Sequence, residues 1–219
     1  MDWNSPLYSV LKACELNAND YKELCKTAET NGILFFSTPF DRESVDLLDS
    51  LSVPAYKIAS FYLVNQALLE HVASKGKPII ASRGMATKEE IQAAVDIFSK
   101  HKVDYALLHC VSSYPLKEED ANLNVIRSLK TSYNCVVGYS DHTLGIETAV
   151  YAVAVGAAIV EKHFTLNKDQ DGPDHKLSAD PADLTEMTAK IRTLERMLGS
   201  SEIGLFEAER GATIYRKFN

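Results

Sequence analysis

Two histidines stand at or just past the ends of consecutive apolar runs, His142 after residues 135–140 and His163 at the close of residues 157–163. If those runs are neighbouring strands, the imidazoles can approach closely enough to share one cation. Two nitrogens, with the remaining positions left to water and substrate, suit a first-row divalent ion such as manganese better than a closed structural zinc. Taken singly, such a pair is more simply a loop cap and a core histidine. Asp141 and Glu161 beside them add carboxylates of the kind that orient metal-bound imidazoles. Lys57 lies inside the apolar stretch Tyr56-Lys57-Ile58-Ala59-Ser60. Burying an unpaired ammonium is costly, so it needs an anion, either a carboxylate of the fold or a ligand phosphate. Thr38, Ser60, Ser82, Ser112 and Ser140 recur at successive run ends as short donors suited to phosphate oxygens, although each alone is a common turn residue. Tyr114 before Pro115, Phe40 after Pro39 and the turn-rich Asp171-Gly172-Pro173-Asp174-His175 are equally packing anchors or substrate contacts.

These groups can act together only if the chain brings the run ends to one place. Six nearly continuous apolar runs, residues 33–37, 55–60, 78–82, 104–110, 135–140 and 157–163, predict strands covered on both faces, hence a parallel sheet. Between them helical spacing covers residues 41–51, 65–76, 88–101, 147–155 and 181–198, with Thr87 and Glu90 forming a capping box. Units of about 21 to 31 residues fit either a barrel or an open doubly wound sheet. Polar residues at nearly every strand end favour the barrel, whose sites draw on many strands at the C-terminal rim.

The 219 residues, 46% hydrophobic and 24% charged, describe an ordinary globular chain. A net charge of -7 with dispersed Lys and Arg argues against a nucleic-acid surface, though not against small anions. Cys14, Cys25, Cys110 and Cys135 show neither a CxxC pair nor a zinc spacing, which predicts free, buried thiols. No apolar run reaches the ~18 residues needed to span a bilayer, and Met1-Asp2-Trp3-Asn4 has no basic leader; no membrane partner and a cytoplasmic location are expected.

The motifs Phe36-Ser37-Thr38-Pro39-Phe40, Pro54-Ala55-Tyr56-Lys57-Ile58-Ala59-Ser60, Gly138-Tyr139-Ser140-Asp141-His142-Thr143, Glu161-Lys162-His163-Phe164-Thr165 and Gly172-Pro173-Asp174 occur in that order. Together they resemble the sialic acid synthases, with relatives that make legionaminic and pseudaminic acids, from about Ser5 to about Glu207. The resemblance implies a TIM-type (β/α) barrel, and condensation of phosphoenolpyruvate with an N-acetylated aldose such as N-acetylmannosamine. The products would be phosphate and a nine-carbon 2-keto sugar acid. It places a manganese ion, with magnesium or cobalt as alternatives, on His142 and His163. Phosphoenolpyruvate falls to Thr38, Lys57, Ser82, Ser112 and Ser140, with Ser60 a weaker addition, and the sugar to Tyr114 and Asp174.

Tyr62 stands where the family carries a proton-handling glutamate, and Arg83 stands for a common threonine. Arg83 is expected to point into the phosphate end of the rim or to pair with a loop acid. Residues 1–219 are expected to form one incomplete barrel domain of about six of eight units, without the family's C-terminal antifreeze-like domain. Homodimerisation or completion by another polypeptide follows, and the chain alone is expected not to catalyse the condensation. The alternative is a non-catalytic relative that retains phosphoenolpyruvate or sugar binding, with a metal-dependent barrel aldolase further off.

Overall fold

The computed structural model describes residues 8 and 12–218; the tetrapeptide Met1 to Asn4, read above for a leader, lies outside them. Five strands, β1 (Tyr56–Ile58), β2 (Ile79–Ser82), β3 (Tyr105–Cys110), β4 (Val136–Asp141) and β5 (Ile159–Lys162), pair in that order. Every pairing is parallel. Helices α1 (Ala18–Thr30) and α2 (Arg42–Ser50) precede the sheet. α3 (Gln66–Ala73), α4 (Lys88–His101), α5 (Asn124–Ser132) and α6 (Glu147–Ala154) connect the strands, and α7 (Pro181–Leu198) follows. The fold is α/β with a parallel half-barrel sheet. Among the described residues no helix is long and apolar enough to cross a membrane.

Local chemistry sets the helix starts. Thr87 and Glu90 cap α4 reciprocally, and Asp180 with Asp183 does the same for α7, where Pro181 occupies the first turn at no hydrogen-bond cost. α1, which opens on an Asn17–Asp20 box, and α5 were not anticipated from sequence. Their stripes are short: α1 buries only Ala28, and α5 only Ile126 and Leu129.

Alternation along the strands sorts side chains onto two faces. Tyr56, Ile58, Ile79, Ala81, Leu107, Val137 and Tyr139 form the main core together with residues of the helices, including Leu69 of α3, Phe98 of α4 and Ile126 of α5. A smaller cluster joins Ile146, Ala149 and Val150 to Met187 of α7, with Val160 of β5 against it. The opposite face closes on itself. Lys57 of β1 and Glu161 of β5 lie on the two outer strands, yet their charged atoms are 3.5 Å apart. In a flat sheet four strand spacings would separate them by roughly 19 Å, so the sheet curves into an arc.

Residues 33–37 do not form the sixth strand expected. Their backbone touches β1 through one bond, Lys57 N–H donating to Ser37 O at 3.2 Å, while Ile33 and Leu34 remain 65% and 78% exposed. A single bond to β1 does not make a ladder, so the run stays outside the sheet. The cysteines also depart from expectation: all four are free, but only Cys110 is buried, Cys14 being exposed and the other two half-buried.

Leu107, fully buried in the central strand, tests this packing. Leu107→Ala should lower the unfolding free energy by about 2–5 kcal/mol, read from urea denaturation at unchanged m-value.

Candidate active site

At the C-terminal ends of the strands lies a cleft of about 210 Å³ to which every strand contributes: Lys57, Ser82, Cys110, Ser140 and Glu161, in strand order, line it, the two last facing each other in register. A larger hollow of about 690 Å³ opens at the other end of the sheet, beside Asp104, Tyr105 and Val136. The smaller cleft is the site, because the loops and converging polar groups of such folds gather at the C-terminal ends.

Lys57 is 7% exposed. Its ammonium donates to Ser82 Oγ at 2.8 Å and Ile58 O at 3.0 Å and faces Glu161, whose other oxygen accepts from Ser140 Oγ at 2.7 Å. Burial pulls the lysine below its ordinary value of 10.5, with Glu161 opposing. The anion that Lys57 requires is thus present in the fold, but at a separation an incoming phosphate or carboxylate could take over.

The two imidazoles converge. Their ring centroids are 5.4 Å apart, and Tyr114 stacks on His142 at 4.0 Å while meeting His163 edge-on at 5.8 Å. His142 Nδ1 lies 2.9 Å from Val111 O, and donation there leaves Nε2 as the free nitrogen. Burial disfavours the charged form of His142, but the contacts with Cys110 and the Val111 carbonyl outweigh it and raise its pKa. Burial depresses that of His163, despite Asp174 at 3.6 Å from its Nδ1. This donor set fits a divalent cation. Among the described residues no three or more His, Cys, Asp or Glu side chains form a metal cluster, so water and substrate would complete the coordination.

Thr38, Ser60 and Tyr114 join Lys57, Ser82, Ser140, His142 and His163 in lining the cleft. Ser112 and Asp174 stand just beyond it. Ser112 Oγ is buried without a partner. Gly84 separates it from Ser60: its N–H donates to Ser60 Oγ at 3.0 Å, and a Cβ on it would come within 2.5 Å of Ser112 Oγ. Tyr62 is not among the lining residues; its ring lies 5.0 Å from Phe40, and Phe61 takes the place on the cleft wall.

Arg83 departs from both expectations. It lies on the helix side of the loop after β2, beside Ala86, Lys88 and Ile91, and meets His109 Nδ1 and Ala86 O, each at 3.3 Å, rather than phosphate or an acid. Ser82 faces inward, so the next residue turns out. Asp141 makes no hydrogen bond to an imidazole either: Lys162 and Thr143 engage its carboxylate, and Glu161 serves Lys57 and Ser140. Glu161 belongs to the site itself. The signal for it was the one used for Lys57, a charge inside an apolar run. Cys110, 3.9 Å from His142 Nδ1, had no such signal.

The NeuB family profile matches residues 2–203. The chain belongs to the NeuB family. It is 49% identical over 211 residues to an uncharacterized protein of Methanocaldococcus jannaschii, covering 96% of this chain and 63% of that one. It is 43% identical over 204 residues to the N,N'-diacetyllegionaminic acid synthase of Legionella pneumophila, covering 91% of this chain and 57% of the relative. The chain therefore spans about three-fifths of these relatives' length. A crystal structure of the N-acetylneuraminic acid synthetase of Leptospira borgpetersenii, in complex with citrate, superposes with a TM-score of 0.95 at 39% identity, over 99% of this chain and 76% of that one.

Lys57 is held charged at a cost in stability. Lys57→Met leaves Glu161, Ser82 Oγ and Ile58 O without their donor and should lower the unfolding free energy by about 1–3 kcal/mol. Between the depressed folded pKa and 10.5 the unfolded wild type binds more protons, so its stability should rise with pH relative to Lys57→Met. Chemical denaturation of both proteins across the alkaline range checks the sign.

Proposed function

We propose that this chain carries the phosphoenolpyruvate- and metal-binding part of a sialic acid synthase-like enzyme. The reaction is condensation of phosphoenolpyruvate with an N-acetylated aldose of the N-acetylmannosamine type, giving a nine-carbon 2-keto sugar acid and phosphate. What supports this reading above all is the single cleft in which a buried ammonium and two serine hydroxyls lie opposite two converging imidazoles. Lys57, Ser82 and Ser140 supply charge-assisted and neutral hydrogen bonds to phosphate or carboxylate oxygens. An anion arriving at Lys57 replaces Glu161, and the freed carboxylate becomes the cleft's group for taking or giving a proton. That work fell to a glutamate where Tyr62 stands. Tyr114, tilted by 36° against His142, offers an aromatic wall to the sugar, with Asp174 beside His163. His142 and His163 would hold manganese, or magnesium or cobalt, which as a Lewis acid supplies polarisation of the sugar aldehyde.

The partners in this reading are small molecules, with neither nucleic acid nor membrane, and the location is cytoplasmic. A homodimer or a second polypeptide covers the outer edge of β1, where residues 33–37 offer backbone groups but complete no ladder. A second reading, a non-catalytic relative that binds phosphoenolpyruvate or sugar, is favoured by the position of Tyr62 behind the cleft-lining Phe40 and not on the cleft itself.

Calorimetry with phosphoenolpyruvate, alongside an assay of phosphate and 2-keto acid with manganese and N-acetylmannosamine, separates the two. Binding that weakens about tenfold or more in Lys57→Ala is expected from the loss of a charge-assisted hydrogen bond. Unchanged affinity in that variant overturns the site. Binding without phosphate release selects the non-catalytic reading.

A further inference from the structure

His142 and His163 each follow directly on one member of a buried ion pair, Asp141 and Lys162. Lys162 Nζ lies 2.8 Å from Asp141 Oδ2, with side-chain exposures of 3% and 0%. The two residues are also register partners across β4 and β5. The ammonium reaches Thr143 O at 2.8 Å, and the other oxygen of Asp141 accepts from Thr143 N–H at 2.9 Å and Thr143 Oγ1 at 2.8 Å. These bonds bind the end of β5 to the turn that follows His142. Ser140 and Glu161, one residue earlier on each strand, line the cleft, and so do His142 and His163, one residue later. The ion pair therefore lies on the reverse of the sheet, directly behind the two imidazoles.

Within the cleft only ring contacts, Tyr114 against both imidazoles and the imidazoles edge-on to one another, relate the two histidines; among the described residues no hydrogen bond or ion pair joins them. His142 is held by Val111 O and by Tyr114, and His163 by the distant end of Asp174, on a strand half-buried along its whole length. Besides the ladder and the Ser140–Glu161 bond one residue earlier on the cleft face, β4 and β5 are linked here by Asp141, Lys162 and Thr143. A buried pair contributes little to net stability compared with an apolar replacement, so its value lies in direction and register.

We propose that Asp141 and Lys162 are positioning residues that set the separation of His142 and His163, and with it the affinity of the cation site; this rests on the metal-binding reading above. The pair acts through backbone register and touches neither substrate nor metal.

The test compares manganese affinity, read as the loss of the free-ion electron paramagnetic resonance signal, with thermal stability. The paired variant Asp141→Leu/Lys162→Met removes both charges and is expected to fold with a similar midpoint while binding manganese about tenfold or more weakly, the range seen when groups supporting metal ligands are removed. Asp141→Asn, close in shape, keeps the fold testable should the paired variant fail to fold, and is expected to lose affinity in the same direction. Val137→Ala, in the same strand and core, should lower the midpoint and leave affinity within about twofold, since a cavity there costs packing and not register. Wild-type affinity in a folded Asp141→Leu/Lys162→Met or in Asp141→Asn overturns the proposal, as does an equal loss in Val137→Ala. His142→Ala separates the two layers. If the wild type binds no manganese, or His142→Ala binds it as well as wild type, the metal reading fails. If binding depends on His142 but not on the ion pair, only the positioning role fails.

Discussion

An ammonium in the middle of a parallel strand is the constraint around which the site is arranged. Lys57 has almost no water of its own, and a lone buried charge would be more costly than a domain of marginal stability can sustain. It is stabilised from three directions: its own strand at Ile58 O, the next strand at Ser82, and the far edge of the arc at Glu161. The last of these is available only because the sheet curves. Curvature, charge pairing and the cleft are thus aspects of one arrangement, and an anionic ligand that competes with Glu161 enters a place already built for negative charge.

The period of two along each strand then divides the labour between the faces. Inward positions carry Lys57, Ser82, Cys110, Ser140 and Glu161, and outward positions carry the apolar residues that pack beneath the helices. Polar groups that fall on the outward side, such as His109 and Asp141, are nearly water-free and find partners there: His109 Nε2 meets Ala121 O at 2.8 Å while Arg83 reaches its other nitrogen. Burial depresses the pKa of His109, and the neighbouring Arg83 cation acts in the same direction. The imidazole is therefore neutral and can accept from the guanidinium. The outer face is a scaffold in which most of these polar groups find partners, Tyr139 Oη and Arg83 Nε being buried without one, and the inner face keeps the groups that can exchange partners.

Much of this was open to reading from the residues alone. Apolar runs without alternation implied strands covered on both sides and a parallel sheet, although the helix between β3 and β4 was not read. The Thr87–Glu90 box and the run of hydroxyls at strand ends are local features, decided by φ/ψ preference and by a period shorter than one element, so no distant partner could alter them. His142, His163, Lys57, Ser82 and Ser140 were identifiable because each is a polar residue at a fixed phase of an apolar run.

Features that depend on groups far apart in the chain were not identifiable in this way. Residues 33–37 have the composition of a strand, but one hydrogen bond to β1 does not make a ladder. Phase alone could have turned Arg83 outward, yet its capture by His109 depends on a strand 26 residues away. That Glu161 meets Lys57, and that Asp141 meets Lys162 rather than an imidazole, depends on the curvature and register of the assembled sheet. Charge pairing falls off with distance, and distance across an arc is a property of the folded whole. Composition and spacing chose which residues could do chemistry; the closing of the sheet chose which of them stand together.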